Sequence, residues 1–387
     1  MNKKILTALV LLTGFTTIVN AQDTKDYFNP LSFGVPTLTI APDARSGAMG
    51  DVGAATEPDV YSQHWNPAKY AFMYSKAGIG VTYTPWLKKI IDDIYQLYIS
   101  GFYKLGTEDR HAISASFRYF SIGRIDLTDD NGNVYSDVSP YEMAADVAYS
   151  LKLTETFSMA AALRFIYSDL GVVGYDIYPG SAFAGDVSGY YNNYVMLGNS
   201  ECMVGLGFNV ANIGSKISYD NGITNNFLPT TLRLGGSLLM PLDNYNTLSL
   251  NLDVNKYMIP TPPDTRTMTP DEKDAAMRDF YAISPVSGIF KSFSDAPGGF
   301  KEELQEIRYG LGLEYGYDNK FFVRGGYFYE NPNKGNFRYF TLGAGFNMQV
   351  LRLDVAYLIS TVPSNPLDQT LRFSLSFDMD GLKGLMR

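Results

Sequence analysis

The sequence predicts an all-β protein, a 14-stranded antiparallel transmembrane β-barrel closed around an N-terminal plug. Three observations predict it. From Ala77 to Asp378 the chain is a long series of segments in which apolar and polar residues alternate. Past the first twenty or so residues, no apolar run reaches the roughly 18 residues of a membrane-spanning helix, so any crossing must use a closed barrel. Ahead of the strands, residues 42–68 (PDARSGAMGDVGAATEPDVYSQHWNPA) are rich in Gly and Ala and carry Asp43, Arg45, Asp51, Glu57 and Asp59 with neither period. A segment that polar builds no core of its own and is expected to fold back inside the strands.

Composition agrees with this class. Charged residues make up only 18%, against 29 Tyr and 36 Gly, a balance unusual for a soluble enzyme. Residues 1–21 read as a secretory signal: Lys3 and Lys4, an apolar run over 5–19, then Val19-Asn20-Ala21 as the cleavage site. Removing them shifts the formal charge from −9 to −11, which excludes nucleic acid as a partner. No Cys follows the cleavage site, so no lipid anchor is expected there, and the lone Cys202 excludes an intrachain disulfide. The expected organisation is a signal peptide over 1–21, tail and plug over 22–76, and barrel over 77–387 with long outer loops at 169–199 and 257–305.

Strands read at about 77–84, 94–104, 110–121, 141–152, 156–168, 200–210, 230–240, 244–256, 306–316, 320–329, 336–348, 350–360 and 369–378. The later ones alternate most cleanly. Leu351, Leu353, Val355, Tyr357 and Ile359 oppose Arg352, Asp354 and Ala356; Leu371, Phe373, Leu375 and Phe377 oppose Arg372, Ser374 and Ser376. That count is odd, whereas single-chain bacterial barrels have an even number, with short periplasmic turns and longer outer loops. A weak strand at about 215–219 restores the even count. Turns at 106–109, 153–155, 211–214, 241–244, 318–319 and 349 then face the periplasm, and 122–140, 169–199, 220–229, 257–305, 330–335 and 361–368 face outside. A soluble sandwich also alternates. The barrel is favoured by Gly and Ser on the polar faces, by strand lengths near the ~9–11 residues of a tilted crossing, and by Tyr and Phe near strand ends, as in 327–329 and 117–120.

Counted from the apolar faces, Arg118, Arg164, Arg233, Arg308, Arg324, Arg352 and Arg372 point inward with Asp146, Asp253, Glu314 and Asp354. Buried charge must be paired, and the guanidinium fork suits carboxylates. These side chains are therefore expected to pair with one another and with plug residues Asp43, Arg45, Asp51 and Asp59, against the alternative of a solvated pore lining.

Catalytic patterns are missing. The two histidines, His64 and His111, are too few for a His-rich metal site, and no GxSxG, HExxH or P-loop pattern occurs. The run 129–133 (DDNGN) resembles half a calcium loop, but Pro140 stands where the closing Glu belongs, so a tight turn is expected. No enzyme activity, cofactor or metal is expected. Cys202 is in phase with Val204, Leu206 and Phe208 and reads as a small hydrophobe facing lipid. Recognition is left to the outer loops: Tyr175, Tyr178, Phe183, Tyr190 and Tyr191 in 169–199, and Tyr281, Phe290, Phe293 and Phe300 in 257–305. Thr269-Pro270-Asp271-Glu272 opens a helix there.

The plug run DARSGAMGDVGAA…WNPA resembles the N-terminal motif of the FadL-like outer-membrane superfamily. With GLGFNVANIGSKISY and FLPTTLRLGGSL, the resemblance narrows to the PorV branch of the type IX secretion system of Bacteroidetes and covers essentially the whole mature chain. It implies a 14-stranded barrel in the cell outer membrane that is not itself the translocation channel. It also implies binding of the C-terminal signal domains of cargo released by the large translocon (SprA/Sov-like). Cargo would pass to an attachment complex with the PorU sortase, where a lipopolysaccharide anchor is added. On this reading, deleting 169–199 should leave the barrel intact and strand cargo uncleaved. The alternative is a FadL-like passive channel for hydrophobic small molecules, which the inward arginines oppose. One departure from many outer-membrane barrels is that Phe377 is followed by ten further residues, DMDGLKGLMR.

Overall fold

Alternation turns into a closed cylinder because one face of every strand is apolar and the other is not. The computed structural model describes residues 28–86, 93–106, 109–129, 131, 133–171, 177–348, 350–362 and 365–379. The expected signal peptide and the turn residue Gln349 lie outside them. In chain order the strands are β1 (Ala77–Pro85), β2 (Tyr95–Leu105), β3 (His111–Ser121), the short β4 (Ile125–Thr128) and β5 (Val134–Val138), β6 (Tyr141–Lys152), β7 (Phe157–Asp169), β8 (Gly180–Leu197), β9 (Ser200–Gly214), β10 (Thr231–Pro241), β11 (Asn246–Tyr257), β12 (Arg308–Tyr317), β13 (Phe321–Tyr329), β14 (Arg338–Asn347), β15 (Leu351–Ser360) and β16 (Leu371–Asp378).

Each strand pairs antiparallel with its neighbour, and β1 closes on β16 with Val81 opposite Leu375. Fourteen strands form the barrel, while β4 and β5 make a separate hairpin in an outer connection. Closure leaves no unpaired sheet edge, the condition for backbone in hydrocarbon. Among the described residues no helix is long and apolar enough to cross a membrane. Outward side chains such as Ile79, Leu163, Leu206, Leu342 and Phe373 are exposed, a solvent-facing liability that lipid removes. Tyr83, Tyr95, Tyr119, Tyr141 and Tyr167 form a continuous ladder across β1, β2, β3, β6 and β7, with ring centroids 5.5–6.1 Å apart. It lies at the outer ends of those strands, where an aromatic girdle belongs.

The count of fourteen is right, but one strand is not where the sequence put it. The fourteenth is β8, inside the stretch read as loop 169–199, joined to β9 by a tight turn at Gly198. Residues 215–219 form only an isolated bridge, Ile217 to Asn226, in an outer connection. The stretch 211–214, read as a periplasmic turn, is strand. A bulge between Gly185 and Val187 inserts Asp186 and breaks the two-residue phase of β8, which hid the alternation.

Inside the barrel the chain between Val35 and Ala71 is almost wholly buried. A 3-10 turn (Pro36–Thr39) precedes α1 (Ala44–Gly47) and α2 (Ser62–Trp65), and a second 3-10 turn (Pro67–Phe72) leads to β1. Outside, the connection between β11 and β12 carries α3 (Pro270–Ala282), α4 (Pro285–Lys291) and α5 (Phe300–Gln305).

Candidate functional site

The 42–68 segment is held by backbone contact as much as by charge. Asp43 caps α1, accepting from the Ser46 amide at 2.8 Å and from the Trp65 indole N–H at 2.6 Å. Gly50 (φ 70°) and Asp51 (φ 56°) both take the left-handed conformation and turn the chain against the wall. There β12, β13 and β14 present glycines inward. A Cβ on Gly312 would sit 2.6 Å from the Met49 carbonyl, and one on Gly326 would overlap the Met49–Gly50 peptide. Further round the same side, on β9 and β11, a Cβ on Gly207 would overlap the Ala54 carbonyl, and Asp253 accepts from the Gly53 and Ala54 amides at 2.8 and 2.9 Å. Asn66 donates to Ala54 O and Gly189 O, and the buried Lys69 ammonium donates to Gly53 O and Thr56 Oγ1. Small residues on both sides thus let two main chains meet.

The seven arginines expected to point inward do so, with varied partners. Arg45 reaches from the plug to Glu314 on β12 at 2.9 Å and to Asp59 at 3.0 Å, with Glu57 at 3.7 Å. Arg324 binds Glu314 at 2.5 Å and Asp354 at 2.8 Å, and Arg352 lies 3.0 Å from Asp354. Arg164 bridges Asp146 and Asp186 at 3.0 and 2.9 Å. Only Arg372 meets a plug carboxylate, Asp51, at 3.3 Å, where Tyr339 also donates at 2.5 Å. The expectation that Asp43 and Asp59 pair with wall arginines is corrected. Asp43 is taken up by its cap and Trp65, and Asp59 pairs with the plug's own Arg45. Arg118 instead donates to the Thr37 carbonyl at 2.6 Å and faces His64 Nδ1 at 3.0 Å. Arg233 donates to the His64 carbonyl at 3.0 Å, and Arg308 stacks 3.5 Å from the Tyr257 ring centroid.

The aromatic candidates divide. Phe290, Phe293 and Phe300 lie in the β11–β12 connection and are exposed by 75%, 50% and 77%. Tyr178 is exposed before β8, whereas Tyr281 packs partly against the Phe227–Phe280 cluster. Three are corrected, because 180–197 is wall rather than loop. Phe183 faces lipid beside Phe165, Tyr190 is buried against Ala68 and Phe72, and Tyr191 accepts from Asn193 near the periplasmic end. Tyr175 lies outside the described residues. In 129–133, Asp129 accepts from the Asn131 and Asn133 amides, the turn geometry expected. Cys202 has the outward phase of Val204 and Leu206 but is buried by neighbouring side chains.

Sequence reasoning missed two features. One is a cavity of about 490 Å³ at the outer mouth, above the plug, with Leu31, Phe33, Trp86, Phe120, Phe328 and Phe337 in its lining and Arg233, Arg308 and Arg372 at its polar side. The other is a buried ion cluster of Lys256 and Lys334 with Glu302, Glu303 and Glu306. Only contacts between distant connections create them.

The sequence matches the family described as type IX secretion system protein PorV over residues 22–264, plug included and more than half the chain. The chain belongs to the PorV family. No curated protein matches it. Solved structures similar in fold include the P. putida toluene transporter TodX (11% identity, TM-score 0.51, covering 87% of this chain and 97% of that one). A TodX deltaS2S3 mutant, a monoaromatic hydrocarbon channel, gives 13% identity, TM-score 0.50 and coverage of 87% and 98%. At that identity the likeness shows the barrel fold alone. PorV membership and the closed 14-stranded barrel together make this an outer-membrane protein of type IX secretion.

Proposed function

We propose that this PorV-family barrel is a shuttle. It binds the C-terminal signal domain of cargo leaving the large translocon and delivers it to the PorU sortase and attachment complex, where the lipopolysaccharide anchor is added. The observation that carries this reading is the set of exposed aromatics Phe290, Phe293 and Phe300 on an outer connection anchored by buried ion pairs. Large rigid apolar side chains displayed on a fixed base favour partner binding. A lumen filled by its own plug fits a barrel that carries cargo on its surface rather than through its middle.

Replacing the three phenylalanines together with Ser should leave the barrel folded in the outer membrane. Co-purification of cargo from mild detergent should fall, and cargo should accumulate with its signal domain uncleaved. Normal cargo capture by that triple variant would remove the reading.

The 490 Å³ apolar cavity favours one second reading, a site for hydrophobic small molecules. Passage onward would require the plug to leave its glycine-lined seat. Uptake of a hydrophobic dye into vesicles carrying the protein separates the two readings.

A further inference from the structure

The short helix α5 has two unlike faces. Outward it shows Phe300 and Leu304, the latter 50% exposed, with no cover from the other described residues. Inward, Glu302 and Glu303, with Glu306 just past its end, grip two buried ammonium groups. Lys256, at the outer end of β11, lies 3.1 Å from Glu303 and 2.5 Å from Glu306. Lys334, in the β13–β14 connection, lies 2.6 Å from Glu302 and 3.0 Å from Glu306. Thr261 donates to Glu306 at 2.7 Å, and the Ala296 amide donates to Glu303 at 2.9 Å.

The same carboxylates hold the start of the N-terminal strap. Asn29 donates to Glu302 at 3.2 Å and to the Pro262 carbonyl at 3.3 Å, while its amide donates to Asn333 O at 2.8 Å. From there the strap crosses the mouth and walls the cavity with Leu31 and Phe33, and the β13–β14 connection adds Lys334 and Phe337. Midway along the strap is Val35, a buried β-branched residue at φ 54°, a conformation such residues avoid. The strap and the β13–β14 connection, two walls of the cavity, thus end on one ionic cluster, and the strap contains a strained residue.

We propose that this cluster is a latch. α5 holds the strap and the β13–β14 connection shut over the cavity, and the C-terminal signal domain of cargo, seated on the outward face of α5, releases both. The release step rests on the reading of the outer connection as the partner surface; the latch does not. Buried ion pairs suit such a device, because their attraction is nearly balanced by the desolvation of the same groups. Removing one partner therefore tips the arrangement open, which a packed apolar contact would resist.

Hydrogen exchange on the full-length barrel in detergent tests it. Glu306→Gln and Lys334→Met should each speed exchange of the strap amides from Asn29 to Leu38 about tenfold, the signature of a tenfold larger open population. Amides of β11 and β12 should stay unchanged, which shows that the barrel has folded. A disulfide joining Asn29→Cys to Asn333→Cys, in a Cys202→Ser background, should return exchange to the slow rate until it is reduced. Unchanged strap exchange in both variants, with only 258–307 loosened, would overturn the latch. Adding the C-terminal signal domain of a secreted cargo protein to the unmodified barrel should protect α5 and speed the strap. Protection of α5 with no effect on the strap would overturn the release step while leaving cargo binding in place. No protection anywhere on the outer connections would defeat both the cargo reading and the release step built on it, leaving the latch to be judged by the two variants.

Discussion

Glu314 is where the plug's charge meets the wall, and its replacement tests how the plug is held. Its carboxylate accepts from Arg45 at 2.9 and 3.2 Å and from Arg324 at 2.5 Å, with Arg352 at 3.8 Å. Removing one member of a buried pair costs about 3–5 kcal/mol when the other is orphaned. Here Arg45 keeps Asp59 and Arg324 keeps Asp354, so Glu314→Leu should cost about 2–4 kcal/mol. Arg45→Met leaves Glu314 with two arginines but takes the partner from Asp59, and should also cost about 2–4 kcal/mol. The double variant puts two apolar side chains where two charges were. Its loss should fall short of the summed single losses by about 1–3 kcal/mol. The readout is exchange of the Ala44–Val52 amides, which reports plug release apart from barrel unfolding, alongside current through a planar bilayer. Additivity within about 0.5 kcal/mol would refute the claim that this pair couples plug to wall.

The glycine seat gives a second test. Gly207→Val drives a side chain into the Ala54 carbonyl and should displace the plug at about 1–3 kcal/mol, seen as new bilayer current. Gly236→Ala, whose nearest neighbour atom is 3.9 Å away on the outer face, should stay silent. Deleting 180–197 removes β8, leaves an odd strand count and should abolish the heat-modifiable barrel on gels, rather than merely strand cargo. Asp295, beside the ion cluster, is pushed up to about 6 by burial and by Glu303 and Glu306, against the Thr261 amide. A raised carboxyl contributes stability below about pH 4 that is lost as pH rises through about 6. Relative to the native protein, Asp295→Asn should therefore tighten 258–307 at pH 7, by about 1 kcal/mol after allowance for solvent screening. The difference should fade toward pH 4, read as exchange in that connection across the range. A constant difference from pH 4 to 7 would exclude Asp295 as the titrating group.

Alternation made most of the wall legible, because a two-residue repeat in Leu351–Ser360 or Leu371–Asp378 has one meaning when one face meets lipid and the other a lumen. It also gave the direction of the seven inward arginines, since facing follows from parity alone. It failed at β8, where Gly and Ser interrupt the apolar face and the extra Asp186 shifts the phase midway. Even-number reasoning then supplied a missing strand but put it in the wrong place, at 215–219, as parity constrains a count and not a location. Partners were beyond its reach as well. Whether Arg372 meets Asp51 or Arg118 meets a backbone carbonyl depends on how high each side chain stands in the cylinder, and that height is set by the register of fourteen strands together. The ion cluster under α5 joins connections that lie far apart in the chain and meet only once the barrel has closed. By itself the sequence determined a lipid-facing cylinder with a charged interior and a plug. The tertiary structure alone decided which glycines admit the plug's main chain and which charges find each other, because both are matters of distance across a closed surface rather than of order along a chain.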